Sequence, residues 1–497
     1  MPFDLETAAD PQRLRRVAID PLSRVEGHGK VTILLDEHNY VHQVRLHIVE
    51  FRGFEKFIEG RPYWEVPVMV QRLCGICPVS HHLAASKALD GVAGARRITP
   101  TAQSLRRLMH YGQILQSHAL HFFHLASPDL LFGFDSDPAR RNIMGVAAAH
   151  PDIARRGVLV RKFGQEVIRV TAGKKIHGTG SIPGGVNKSV SSAERDELLA
   201  GVDEIVDWCL DAVRLVQTLH AQSPAQYDAF GRVPSKMVSM VDADGAMDLY
   251  DGGLRVRDEL GRLMHDHLTP DAYMDRVEEE VRPWSYMKFP YLRALGPESG
   301  WYRVGPLTRV QNCDRIPTPM AEAERRGFLD HYRGAPVHAP LATHWARMIE
   351  MLHAAETVRD LLHDPLIGGD DLVARGEPVR SGIGIIEAPR GTLIHQYRVG
   401  DDDLVTMCNL IVSTTHNNQA MHEAIREVAR RDLDGREITE GLLNHIEVAI
   451  RAFDPCLSCA THALGKMPLA VELLDAGGDT VDRVTRDDRG LVHLPAR

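Results

Sequence analysis

The chain has 497 residues, 44% hydrophobic and 25% charged, with a net charge of −9, the balance of an ordinary globular protein whose core is not limited by size; length alone allows about three domains. Basic and acidic residues are interspersed, which excludes a nucleic-acid footprint. No run approaches the roughly 18 apolar residues of a membrane helix, and neither Met1-Pro2-Phe3-Asp4 nor Arg15-Arg16 leads into an apolar export segment.

In chain order, Val31 to Leu35 and Tyr40 to Val49 read as strands around Asp36-Glu37-His38-Asn39. Val44, Leu46 and Ile48 alternate with Gln43, Arg45 and His47, which predicts a half-buried hairpin arm. Thr99-Pro100 is an N-cap followed by an N1 proline, and Leu105, Leu108, Gly112, Leu115, Ala119 and Phe122 mark one face of the long helix it opens. On that helix His118, His121 and His124 recur at helical spacing with no partnering Cys or Glu, and read as packed or surface histidines. Gly178-Thr179-Gly180-Ser181-Ile182-Pro183-Gly184-Gly185 lacks both dinucleotide and phosphate-loop spacing, so it is expected to be a structural turn, with no NAD or ATP bound by this chain. A second long helix starts at the capping box Ser191 to Glu194. Its stripe of Leu198, Val202, Ile205, Cys209, Val213 and Val216 makes Cys209 a core residue. Further helices are expected from Pro340 to Leu362 and from Asn417 to Arg430. No repeat or linker divides the chain, so the expected fold is mainly α (α+β), a single long-helix bundle with small β additions near the N-terminus.

The chemistry sits in two C-x-x-C motifs, Arg72-Leu73-Cys74-Gly75-Ile76-Cys77 and Asp454-Pro455-Cys456-Leu457-Ser458-Cys459, which hold four of the seven cysteines. Two thiolate pairs make a soft cage suited to nickel, iron or zinc and ill suited to magnesium or calcium. A zinc ribbon would keep its pairs roughly 15 to 20 residues apart, whereas most of the chain lies between these. A thioredoxin-like pair needs only one motif. Free thiols fit a reducing compartment, and the cytoplasm is the expected location.

The flanks resemble the large, catalytic subunit of nickel-iron hydrogenases. An R-x-C-G-x-C-x-x-x-H box runs from Arg72 to His81, a D-P-C-x-x-C-x-x-H box from Asp454 to His462, and R-V-E-G-H appears as Arg24-Val25-Glu26-Gly27-His28. Phe51-Arg52-Gly53-Phe54-Glu55, Glu387-Ala388-Pro389-Arg390-Gly391 and Val412-Ser413-Thr414-Thr415 extend the similarity along the chain. The resemblance implies that Cys74, Cys77, Cys456 and Cys459 bind nickel, with Cys77 and Cys459 bridging to an iron that carries CO and cyanide. Dihydrogen would be split heterolytically, Cys456 taking the first proton and Glu26 relaying it outward. Arg390 is the expected guanidinium over the open position, with Asp454 holding it. His81 is expected to bond the bridging sulfur of Cys77, and Ser413 an iron-bound cyanide. For His82 an ordinary polar helix residue is the better reading. Glu55 and His462 would ligate a magnesium-like ion. Ser117 stands where respiratory relatives carry an Asp, so that Asp's role does not transfer.

Cys209, Cys313 and Cys408 are scattered singly, too few for an iron-sulfur cluster; the resemblance and the chemistry both imply a cluster-bearing small subunit. The stretches from Ser117 to Phe123 and from Ser413 to Ala420 look closest to cytoplasmic members that reach NAD through a flavin and iron-sulfur diaphorase module. Residues 1–462 would be the catalytic domain and 463–497 an extension removed after His462 by a maturation protease, once nickel-insertion factors have loaded the metal. Two rival readings are a metal-free quinone or interaction subunit of a respiratory NADH dehydrogenase and a structural zinc protein with a four-cysteine site. The first lacks the four cysteines; the second gives Glu26, Glu55, Arg390 and His462 no role.

Overall fold

The computed structural model describes residues 14–51 and 53–461, together with the backbone of 469–474, 480–486 and 492–493. Its centre is a group of long helices, Pro100–Leu120, Pro151–Ala172, Ser192–Gln222 and Ala342–His363, packed against one another. The start signals act as read. Thr99 accepts a hydrogen bond from Ala102 N, and Ser191 and Glu194 form the reciprocal capping box. The whole predicted stripe of Ser192–Gln222 is buried, Cys209 included, and burial pushes the Cys209 thiol far up. Glycines set the closest crossing. A Cβ on Gly112 would lie 2.7 Å from Val167, and one on Gly164 would lie 2.7 Å from the Gly112 carbonyl.

Three predicted features differ in detail. The Pro100–Leu120 helix is buried around nearly its whole circumference rather than on one face, because helices pack it from several sides. It continues into a π-helical segment, His121–Ala126. The hairpin arm Val41–Ile48 is buried on both faces: the Asn418–Leu433 helix packs against the strand, with His422 accepting from Leu46 N, while Arg45 stacks 4.2 Å from the Trp284 ring. His118 does have an acidic partner, Glu350 at 2.8 Å, contributed by Ala342–His363. The glycine-rich stretch is a tight hairpin, Ser181–Ile182 against Gly185–Val186, pinned by Arg106 through the carbonyls of Ile182 and Gly185.

The mainly helical class holds, but strands extend well beyond the N-terminal sheet of Arg15–Ile19, Gly29–Leu35 and Val41–Ile48. A four-stranded sheet is ordered Tyr302–Arg303, Lys236–Val241, Gly253–Arg257, Leu263–Leu268. An antiparallel meander joins Ser381–Ala388, Gly391–Val399 and Val405–Ile411. The helix Pro78–Leu89 lies on this meander, which brings the first C-x-x-C motif to the Ala388–Gly391 turn. Past the second motif, Leu469–Leu474 pairs antiparallel with Thr480–Arg486, so strands flank the glycines at 477 and 478. Among the described residues no helix is long and apolar enough to cross a membrane.

Candidate metal centre

The first cysteine pair sits where a short 3-10 turn, Val70–Leu73, hands over to the helix Pro78–Leu89. Cys77 caps that helix, and the turn aims the backbone N–H groups of Ile76 and Cys77 at Cys74 Sγ, at 3.2 and 3.3 Å. The second pair follows the helix Glu440–Ala452. Asp454 turns the chain there in the left-handed region, with φ 54°, and the Cys456 amide donates to Thr414 Oγ1 at 2.9 Å.

Folding closes the two pairs into one cage. Cys74 and Cys456 sulfurs are 3.1 Å apart, Cys456 and Cys459 3.0 Å, and Cys77 and Cys459 3.7 Å. One donor atom from each of the four lies within 4.8 Å of all the others, and all four residues are buried. Burial pushes the Cys456 and Cys459 thiols well above their ordinary range. At Cys74 burial acts the same way but is overcome by donation from neighbouring sulfurs and by the Arg390 charge, which bring it well below. Four thiols in one buried space with one already favoured as thiolate is a donor set that a soft metal ion completes.

The Arg24 to His28 box reaches this cage by a short parallel bridge between Glu26 and Cys456. Leu457 N donates to the Glu26 carbonyl at 2.9 Å, and Ser458 N to Glu26 Oε2 at 3.1 Å. The same oxygen stands 3.0 Å from Cys456 Sγ. Gly27 explains the motif's glycine. Its φ is +82° and a Cβ there would meet Ser458 N at 2.6 Å, so no side chain fits between the two segments. Burial first, and then the Cys74 charge, raise the Glu26 carboxyl above its ordinary value.

Arg390 is buried at the meander turn. It donates Nε to the Asp454 carbonyl at 2.8 Å and Nη2 to Asp454 Oδ1 at 3.1 Å, while Nη1 lies 3.4 Å from Ser117 Oγ. Ser117 thus occupies the position beside the arginine, without a charge. A small enclosed cavity lies between Arg390 and the sulfurs, lined by Cys77, Cys456 and Cys459, by Ser80, His81, Ser413 and Thr414, and by apolar Ala388, Pro389, Leu393 and Val412. Cys74 does not line it. Ser413 donates to the Gly391 carbonyl at 2.7 Å. His81 faces the cavity, but its Nδ1 bonds His395 Nε2 at 3.1 Å, and His395 continues to Tyr397 at 2.7 Å. Burial holds His81 down at about 4, hence neutral. His82, adjacent, is fully enclosed rather than an ordinary polar position. It binds the Pro67 carbonyl and the Ser181 amide.

Glu55 lies apart from the cage. Its Oε1 accepts from Leu410 N at 2.8 Å, and Lys288 Nζ is 3.9 Å from its other oxygen and 3.1 Å from Glu279. Burial pushes Glu55 up to about 6 and raises Glu279 as well. Two half-buried carboxyls share one lysine, and Glu279 Oε1 has no hydrogen-bond partner, a surplus of negative charge that a hard cation would satisfy. His462 lies outside the described residues.

Thr414, Ser458, His395 and Arg347 were not singled out in the sequence. Arg347 donates to Asp454 Oδ2 at 3.2 Å, so Asp454 is clamped between two guanidiniums. Thr414 and Ser458 lie inside quoted motifs but carried no expected role there, and no local pattern marks His395 or Arg347, whose partners come from far along the chain.

Residues 52–133 and 262–462 match the family described as nickel-dependent hydrogenase, and residues 16–51 match one described as HoxL-like. The chain belongs to the nickel-dependent hydrogenase family. It is 48% identical over 487 residues to the NAD-reducing hydrogenase HoxS subunit beta of Cupriavidus necator, covering 95% of this chain and 100% of that one. It is 30% identical to the sulfhydrogenase 2 subunit alpha of Pyrococcus furiosus, covering 90% and 98%. A crystal structure of an NAD+-reducing [NiFe]-hydrogenase in its H2-reduced state superimposes with a TM-score of 0.89 at 60% identity, over 90% of this chain and 99% of that one. The Ni-Fe-Se hydrogenase of D. vulgaris Hildenborough shares the fold, with a TM-score of 0.74 at 24% identity over 90% and 100%.

Proposed function

We propose that this family member is the catalytic subunit of a nickel-iron hydrogenase that interconverts dihydrogen with two protons and two electrons. The observation that carries the reading is the buried four-sulfur cage with a carboxylate 3.0 Å from one sulfur and a buried guanidinium opposite. Cys74, Cys77, Cys456 and Cys459 would hold the nickel, with the iron on the Cys77 and Cys459 side. The cavity is lined by both of those sulfurs and by Cys456, and not by Cys74, which agrees with this arrangement. Its apolar walls with a few polar groups suit small diatomic ligands such as CO and cyanide, and the Ser413 hydroxyl on that wall would serve one by exchanging its bond to the Gly391 carbonyl. When bound, the centre supplies an open electrophilic position at which dihydrogen is polarised.

The protein groups then divide the work. Arg390, held on its edge by Asp454, keeps a fixed positive charge toward the cavity. The Cys456 sulfur takes the proton and passes it across 3.0 Å to Glu26, whose raised proton affinity suits an intermediate carrier. Glu26 reaches outward toward Ser458 and Glu50, which are bonded at 3.2 Å. Glu55, with His462, would hold a magnesium ion. Electrons leave through an iron-sulfur small subunit, and the likeness to NAD-reducing relatives favours a flavin-bearing module with NAD as acceptor, in the cytoplasm. In the same reading residues 463–497 are removed by a maturation protease once nickel-insertion factors have acted.

Metal analysis of protein purified without oxygen tests this, with about one nickel and one iron expected per chain and infrared bands from iron-bound diatomics. Zinc alone would overturn it. Cys74→Ser or Cys459→Ser should abolish hydrogen-dependent dye reduction, since a hydroxyl is a hard and weakly acidic substitute for a thiolate; retained activity in either would sink the assignment.

A further inference from the structure

Away from the cysteine cage in sequence, the end of the Ser192–Gln222 helix, the short Pro224–Ala229 helix and the end of the Pro319–His331 helix bring together three side chains that the chemistry above does not use. His220 is 1% exposed, yet neither of its ring nitrogens has a hydrogen-bond partner. Its Nε2 stands 3.0 Å from Asp228 Oδ1. The two are placed as an ion pair rather than as a well-aligned hydrogen bond, and the Tyr332 hydroxyl faces the same carboxylate. His331 closes the group from the solvent side, its ring 4.8 Å from that of His220 and nearly perpendicular to it. One donor atom from each of the three lies within 4.8 Å of the other two.

An ion pair alone accounts for His220 and Asp228 and gives His331 no part. A shared ion accounts for all three. Two imidazoles and a carboxylate are a donor set for a borderline divalent ion, and a tetrahedral zinc with ligands at about 2.0–2.2 Å separates neighbouring donors by about 3.3 Å. The His220–Asp228 spacing is already close to that, and exposed His331 has room to approach. Trp345 packs against both imidazoles, at 5.5 and 5.3 Å. We infer that His220, Asp228 and His331 form a second, structural metal site that takes a zinc-class divalent ion, with water completing the coordination, and that it ties three helix ends together.

The test is cobalt titration of the intact, anaerobically purified complex after dialysis against a chelator. Wild-type protein should take up one Co2+ per chain more than His331→Ala, with the strong visible bands of four-coordinate cobalt, displaced by Zn2+. Asp228→Asn and His331→Ala change positions with solvent access and should fold. Each should weaken uptake at least tenfold and lose the bands, while nickel content and hydrogen oxidation stay at wild-type levels. Zinc should raise the thermal midpoint of wild-type protein and not that of His331→Ala. Cobalt uptake equal in wild type and His331→Ala, or no uptake by wild type below millimolar Co2+, would overturn the proposal. Because the readout is cobalt and zinc binding, the result stands apart from the assignment of the cysteine cage.

Discussion

At the cage each residue does work that its immediate neighbour in space makes possible. Glu26 is proposed as the proton carrier because its Oε2 is shared between Cys456 Sγ and the Ser458 amide, and because burial raises its proton affinity. Glu26→Gln keeps the shape and the amide contact but cannot take a proton from sulfur. Hydrogen oxidation should fall by about 10²- to 10⁴-fold, the usual worth of a positioned acid-base group, with nickel and iron content unchanged. Turnover assays alongside metal analysis check this, and unchanged turnover would mean that protons leave by another route. The four cysteines, Glu26 and Arg390 were legible in the sequence because each sits in a short box whose spacing is itself the signal. His395 and Arg347 were not, since each meets its partner only after separate strands and helices have packed.

Between elements the same limit applies. Arg309, Glu350 and Glu387 come from a short helix, a long helix and a strand, and their side chains have no solvent exposure. Arg309 bonds Glu350 at 2.6 Å and Glu387 at 2.7 Å, and Glu350 also binds His118. Burial would raise Glu350, but Arg309 and His118 overcome it and hold the carboxyl down at about 2. Its contribution to stability is therefore present above the ordinary carboxyl range and is lost as pH falls toward 2. Glu350→Gln would strand much of the Arg309 charge in the interior, and losing one partner of a buried pair costs about 3–5 kcal/mol. The expected result is a lower urea midpoint with an unchanged m-value. Helix starts were legible from capping residues, whereas the meander from Ser381 to Ile411 was not singled out, because pairing between strands leaves little trace in any one segment.

Across the whole molecule, burial governs the response to acid. His47, His82, His338 and His353 are held at about 4, and His110, His416 and His422 at about 3, with desolvation the leading cause in each. All lie below the ordinary histidine value, so the unfolded chain binds more protons across this range and stability falls as pH drops from about 6.5 toward 4. Each such group contributes about 1.4 kcal/mol per pH unit within that window and nothing above it. Urea midpoints compared at pH 7 and pH 5 should show a steep loss; equal midpoints would mean that these histidines titrate normally. The chain's far end has its own test: intact-mass measurement of the active complex should find the subunit ending at His462, and full activity in a subunit ending at Arg497 would show the extension to be permanent. Glu26 and Cys456 are 430 positions apart in the chain and bonded in the fold. A ribosome must therefore have made almost the entire polypeptide before four thiolates and their carboxylate exist in one place. A product terminated before the second motif carries only one of the two pairs, so the complete cage belongs to the nearly finished chain alone.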